Sequence, residues 1–325
     1  MIVGPNGHGK TSLIEALLYP EVFRSFRGAS DRELVRFGGD GFHLEAAAAR
    51  RVGIGYDART RQKKITVDGA VPERVADAIG IVQGVVLSPT DVGLVAGGPR
   101  ERRRYLDVVL AITVPGYVDA LTRYRRALSQ RARARPQEMD AFERVLAEAG
   151  ARIVAERCGW AERCRESWAE ACIAIGERGV PRLDYMPRTE GGTDALAAAF
   201  AASRERDRAL GRAGVGPHRD ELRLSLDGRT LRAYGSAGQQ RTAALALRLV
   251  EADTIEHAGG AALLCLDDAF AELDEERSHH LGALIERRVA AGSQIVAAMP
   301  RTGDVPGVIA SLPRWSMNEG SVAQG

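Results

Sequence analysis

The stretch Gly4-Pro5-Asn6-Gly7-His8-Gly9-Lys10-Thr11 constrains the fold of this chain more than any other. It fits G-x-x-x-x-G-K-[ST], in which backbone N–H groups curl around phosphate oxygens. Glycine lets the chain make that curl and approach a phosphate closely. The pattern needs a strand before it and a helix after it, because the helix N-terminus adds partial positive charge. Met1 to Val3 supplies an apolar strand stub. Leu13, Ile14, Leu17 and Leu18 give an apolar face to a helix predicted from Lys10 to about Tyr19 and ended by Pro20. Without those flanks the stretch would be a glycine turn before a helix; with them it reads as a nucleotide site. Gly4 through Thr11 are the expected nucleotide contacts. Lys10 is expected to reach the β- and γ-phosphates and to take part in catalysis, and the Thr11 hydroxyl to ligate Mg²⁺.

Composition gives Lys10 added weight. Of 45 basic residues only Lys10, Lys63 and Lys64 are lysines; the other 42 are arginines. Against 43 acidic residues the net charge is +2, which excludes a strongly basic, tail-type nucleic-acid binder but leaves room for a local basic patch. With 45% hydrophobic and 27% charged residues the chain is expected to fold, and its 325 residues suggest two lobes. No apolar run reaches the ~18 residues that would cross a bilayer. A glycine loop starting at Gly4 leaves no signal peptide to expect. Cys158, Cys164, Cys172 and Cys265 form no CxxC pair, which suits a reducing cytoplasm.

Short strands are expected from about Phe42 to Val71, with a hairpin signal at Asp68-Gly69, and a buried strand at Ile81 to Leu87. Residues 100 to about 178 look helical, without sustained heptads. Strands return at Leu222 to Leu226 and Thr230 to Arg232. Then come a helix from Gln239 to about His257, an apolar run at Ala262 to Leu266, a helix over about Asp274 to Ala290 and a strand at Gln294 to Ala298. The reading is an α/β P-loop ATPase head with a mixed sheet and an inserted helical lobe. The expected bounds are 1–99 and 208–325 for the head and 100–207 for the lobe.

A second half-site lies far along the chain. Leu263-Leu264-Cys265-Leu266-Asp267-Asp268 is an apolar strand ending in paired carboxylates. Alone, this is often a solvated strand exit. Beside a phosphate loop, Asp267 is expected to hold Mg²⁺ and Asp268 to act as the catalytic base orienting a water. Ser236-Ala237-Gly238-Gln239-Gln240-Arg241 places Gly238 29 residues before Asp267. It is similar to the S-G-G-Q-x-R signature of ABC-type ATPases. Ser236, Gly238 and Gln239 are then expected to meet the γ-phosphate of ATP held by a partner subunit. Ala271-Glu272-Leu273-Asp274 falls where such ATPases carry a dimer-contacting loop.

Longer stretches narrow the resemblance. They are Gly4 to Leu17, Ser25 to Gly38, Val85 to Asp107, Gly214 to Leu222, Ser236 to Leu249 and Leu263 to Leu281. Two of their runs, Pro-His-Arg-Asp at 217–220 and Arg-Arg-Arg-Tyr-Leu-Asp at 102–107, are not general ABC features. The sequence resembles the RecF family of bacterial DNA replication and repair proteins. That resemblance implies ATP-driven homodimerisation on DNA, slow hydrolysis, and recombination mediator proteins as partners in loading a recombinase at single-strand gaps. It also implies further strands ahead of the phosphate loop, so a truncated front or a late start, and a weakly anchored loop strand, are expected. Gln294 to Pro300 offers no hydroxyl or His where a threonine-rich segment is usual. Ser88-Pro89-Thr90-Asp91 stands near where other ABC ATPases place a metal-binding Gln.

Charge is unevenly spread. Residues 100–135 hold ten arginines against Glu101, Asp107 and Asp119, a local +7. Arg123, Arg125, Arg126, Arg131, Arg133 and Arg135 are the expected contacts to DNA phosphates, through sequence-independent forks; a solvated helix face, with internal pairs such as Arg102 to Asp107, is the alternative. His218 is expected in a structural turn, the cysteines as buried fillers, and Trp160 and Trp168 as lobe packing. The other functional readings are a non-hydrolysing DNA-binding scaffold and an SMC-like repair ATPase; missing heptads count against the latter.

Overall fold

The strand ahead of the glycine loop, β1 (Ile2–Val3), is only two residues long, yet it is paired on both sides. In the computed structural model, which describes residues 1–300 and 312–324, the next elements are α1 (Lys10–Val22), β2 (Gly41–Ala47), β3 (Arg51–Asp57), β4 (Gln62–Val67) and β5 (Gly84–Leu87). Helices α2 (Val92–Ala96), α3 (Pro99–Thr113), α4 (Tyr117–Arg131) and α5 (Met139–Ile175) follow. Then come β6 (Pro181–Met186), α6 (Gly192–Leu210), β7 (Glu221–Leu226), β8 (Arg229–Thr230), α7 (Leu231–Tyr234) and α8 (Ala237–His257). The last are β9 (Leu263–Asp267), α9 (Glu275–Ala290), β10 (Ile295–Met299), β11 (Trp315–Asn318) and β12 (Ser321–Gln324).

The chain divides into two compact units. The first comprises residues 1–91, 174–177 and 245–325. Its main sheet has the order β12-β11-β1-β10-β9-β5 among the described residues, parallel except for the antiparallel edge strand β12. This is the mixed sheet of an α/β fold. Ile14 and Leu18 of α1 pack with Val86, Cys265 and Ala298 on three of its strands. Strands β2, β3 and β4 form a second, antiparallel sheet over a core of Tyr19, Phe23, Val52, Ile54, Ile65 and Val67.

Helix α1 carries Pro20 inside it and ends at Val22, not before Pro20 as expected. Phe23 ends the helix in a left-handed conformation (φ 57°), and Lys63 Nζ donates to its carbonyl at 2.8 Å. A second lysine is therefore structural. The Asp68-Gly69 turn is formed, with both residues at positive φ, but it only closes Val67 onto Ala70 and joins no two strands of the sheet.

The second unit comprises residues 92–173 and 178–244. It is wider than the expected lobe because β6, a strand not anticipated, pairs along its whole length with β7 and brings β7 and β8 in with it. Trp160, Trp168, Tyr117, Tyr124 and Phe200 are fully buried in it. Among them lies Arg157, which donates to Asp107, to the hydroxyls of Tyr117 and Tyr185 and to the Pro217 carbonyl. Such a buried cation is tolerated because its donors are satisfied. No helix among the described residues is long and apolar enough to cross a membrane.

His218 sits in this unit, half-buried between Tyr124 and the Ala213 carbonyl. Its Nε2 lies 3.1 Å from that carbonyl, which can only accept, so Nε2 carries the proton and Nδ1 accepts from the Tyr124 hydroxyl at 2.7 Å. Burial pushes the imidazole down to about 4. The unfolded chain takes up this proton near its ordinary pKa and the folded chain only near 4. Stability is therefore lost as pH falls between the two values, by roughly 3 kcal/mol from this group. Urea unfolding at pH 7.5 and 4.5 should show this loss, and His218→Gln should reduce the difference between the two pH values.

Candidate functional site

The phosphate-loop motif adopts the curl its glycines permit. Gly7 (φ 82°) and Gly9 (φ 102°) take left-handed conformations, and α1 begins at Lys10. A side chain at Gly4 would meet the Met317 carbonyl oxygen at 2.3 Å, so the loop passes too close to β11 for anything larger. Lys10 is buried, and its Nζ donates to the carbonyls of Gly4 (2.6 Å) and Pro5 (2.9 Å). His8 braces the loop from outside. Its Nδ1 accepts from the Glu319 N–H at 3.2 Å, and its carbonyl accepts from the Gly320 N–H at 3.0 Å.

Sheet register delivers the acidic half of the site. Val3 pairs with Met299 and Ala298 with Asp267, so the end of β9 arrives two strands from the loop. Thr11 Oγ1 donates to Asp267 Oδ1 at 3.0 Å across 256 positions of sequence. Burial raises the Asp267 carboxyl above its ordinary range, with the Thr11 bond opposing it and the Asp268 charge adding to it. A buried carboxylate beside a hydroxyl is a hard-oxygen donor pair of the kind Mg²⁺ takes. Asp268 follows in a left-handed conformation (φ 56°), its N–H bonded to the Ala298 carbonyl.

Arg27, which sequence reasoning passed over, is close enough for its charge to act on Asp267. It lies 3.6 Å from the buried Glu15 of α1, which also accepts from the Ser25 hydroxyl. The signal for it was the position of a Ser-Phe-Arg run just after the loop helix.

Ser236, Gly238 and Gln239 belong to the second unit, at the start of α8. Ser236 Oγ accepts from the Gln239 N–H at 3.2 Å and the Gln239 side chain accepts from the Ser236 N–H at 2.9 Å, a reciprocal capping box. Gln239 thus holds the serine in place.

Comparison with protein-family models gave no match. Individual relatives did. The chain is 36% identical over 315 residues to the DNA replication and repair protein RecF of Synechococcus sp. (strain JA-3-3Ab), covering 89% of this chain and 83% of that one. With the protein of the same name from Chloroflexus aurantiacus it shares 34% identity over 379 residues, 100% of this chain and 93% of the other. The chain belongs to the RecF family. A solved structure of the recombination mediator protein RecF-ATP in the RecFOR pathway superposes with a TM-score of 0.89 at 27% identity, over 100% of this chain and 90% of that one.

Two segments singled out in the sequence have structural settings in this member of the RecF family. Ser88 follows β5, whose Leu87 pairs with Leu266, and so stands level with Asp267. Its N–H donates to Asp91 at 2.7 Å and its hydroxyl lies 2.7 Å from that of Thr90. Asp91 also takes two bonds from Arg248 of α8, which pairs with Glu251. The second is at the end of β10, where Ala298, Met299 and Pro300 carry no hydroxyl or imidazole. Residues 301–311 lie outside the described residues.

The arginine patch is only partly a patch. Arg126 and Arg133 are exposed and carry no ion pair among the described residues. Arg123 pairs with Glu148 and Arg135 with Glu138 at exposed positions of little energetic weight, and the exposed Arg125 pairs with the largely covered Asp107. Arg131 corrects the expectation outright. It is buried, donating to Glu143 (3.0 Å), Asp207 (2.9 Å) and the Phe200 carbonyl, and cannot meet a DNA phosphate without unfolding its surroundings. Arg102 likewise turns inward to Glu221 and three carbonyls, not to Asp107. Arg131→Ala should cost on the order of 3 kcal/mol by leaving buried carboxylates uncompensated. Arg133→Ala should stay within about 0.5 kcal/mol. Urea midpoints of the two variants test this directly.

Proposed function

We propose that this RecF-family protein is an ATP-dependent DNA-binding protein of recombinational repair and replication. The observation that carries the reading is the Thr11–Asp267 hydrogen bond, because it joins a phosphate loop to a buried carboxylate with nothing else to explain the pairing. Gly4 through Gly9 present backbone N–H groups for phosphates, and Lys10 exchanges its loop carbonyls for phosphate oxygens. Thr11 and Asp267 hold Mg²⁺, and Asp268 orients the attacking water in a slow hydrolysis. Ser236 and Gly238, with Gln239 as their brace, meet the γ-phosphate of ATP bound by a second copy, so that ATP closes a homodimer. Arg123, Arg125, Arg126, Arg133 and Arg135 supply a DNA surface without sequence preference. Recombination mediators are its expected partners, by likeness to the RecF of the RecFOR pathway.

A second reading is a protein that binds ATP and DNA without turnover; the end of β10, bare of hydroxyls, favours it. ATP binding and turnover measured separately decide between them.

Lys10→Ala should weaken ATP binding by about ten- to a hundredfold, the worth of a charge-assisted bond. Asp267→Ala should abolish the Mg²⁺ dependence of the residual affinity. Ser236→Arg should block ATP-dependent dimers in light scattering while the monomer still binds ATP. A wild-type protein that ignores ATP in the presence of Mg²⁺ would overturn the reading.

A further inference from the structure

The chain has seven phenylalanines, and six are buried or half-buried. Phe37 is fully exposed. It does not hang from a slack loop. Arg36 to Gly39 is a turn closed by the Gly39 N–H on the Arg36 carbonyl at 2.8 Å, with Gly38 at φ 77°. That is the form of a type II turn, and it presents the residue at its second position, Phe37, to solvent. Leu34, three residues earlier, packs onto the core beneath the β2-β3-β4 sheet and pins the segment down. Directly after the glycines, Asp40 holds Arg59 of the β3–β4 turn by two bonds at 3.0 and 2.9 Å. The aromatic turn and the β3–β4 turn are therefore neighbours.

Positive charge is in excess along this segment and the β3–β4 turn. Asp31 pairs with Lys63 and Asp40 with Arg59, while Glu33 accepts from Ser30 and keeps its charge. Arg32, Arg36 and Arg61 are exposed and carry no ion pair among the described residues. An outward aromatic ring beside Arg36, on a segment that also carries Arg32 and next to a turn that carries Arg61, has the chemistry of a single-stranded nucleic-acid contact. The ring offers a face to an unpaired base and the forks take the phosphates. A protein partner would need a pocket for the ring; duplex DNA keeps its bases stacked inside.

We infer that the Phe37 turn binds single-stranded DNA, stacking its ring on a base while Arg32, Arg36 and Arg61 engage the adjoining phosphates. This rests on the reading of the protein as a DNA binder, and it puts a contact in the first unit, apart from the arginines of α4.

The test uses the full chain, a mixed-sequence single-stranded oligonucleotide and a blunt duplex of equal length. Phe37→Ala should weaken single-strand binding by about 5- to 100-fold, the range for loss of one stacked base. It should change duplex binding and thermal melting little, and Phe37→Trp should restore affinity. Arg36→Ala should lower the salt slope; Phe37→Ala should not. If Phe37→Ala binds the oligonucleotide like the wild type, or loses both substrates equally, the inference falls and the turn is a protein contact or a duplex rim. If the wild type binds neither nucleic acid, the DNA-binding reading itself fails.

Discussion

The parallel register of β1, β10 and β9 is the constraint on which the site depends. Two residues of β1 decide where the glycine loop begins, and β10 decides how far away β9 must end. With Val3 opposite Met299 and Ala298 opposite Asp267, the loop and the carboxylate emerge at one end of the sheet. A side-chain hydrogen bond at 3.0 Å then becomes possible between residues 256 positions apart. Strand-end convergence of this kind is where open α/β sheets bind ligands. A one-residue slip in either pairing would separate the two halves of the site while leaving each motif intact.

Arginine is used here for two opposite purposes. Arg102, Arg131 and Arg157 are buried cores of polar networks, each answering several carbonyls, hydroxyls or carboxylates at once. The five donors of a guanidinium suit that work better than the three of an ammonium. Others, such as Arg32, Arg36, Arg126 and Arg133, stand in solvent. Two of the three lysines stand where a slender, extensible cation reaches main-chain carbonyls: Lys10 inside the loop and Lys63 at the end of α1.

Much of the fold was legible because its signals are local. The glycine loop, the apolar strand ending in Asp267 and the helix opening at Ser236 each follow from a few adjacent residues. What sequence missed depends on remote partners. Arg131 reads as a surface charge until Glu143 and Asp207, 12 and 76 residues away, close over it. Strand β6 reads as nothing in particular until β7 pairs with it. Pro20 reads as a helix end, because the last turn of α1 had no visible reason to continue; Lys63 supplies one. Arg27 was overlooked because only the folded chain brings its charge near Asp267.

The capping box at the start of α8 has a consequence for the Ser236 hydroxyl. Ser236 Oγ already accepts a hydrogen bond from Gln239, so its rotamer is chosen before any ligand arrives. The hydroxyl proton remains to be donated outward. With that bond made, the oxygen keeps its second lone pair and the hydroxyl keeps its proton, free to be given to an anion. Two uncharged side chains thereby hold the helix end in one geometry, which leaves less side-chain freedom to be lost.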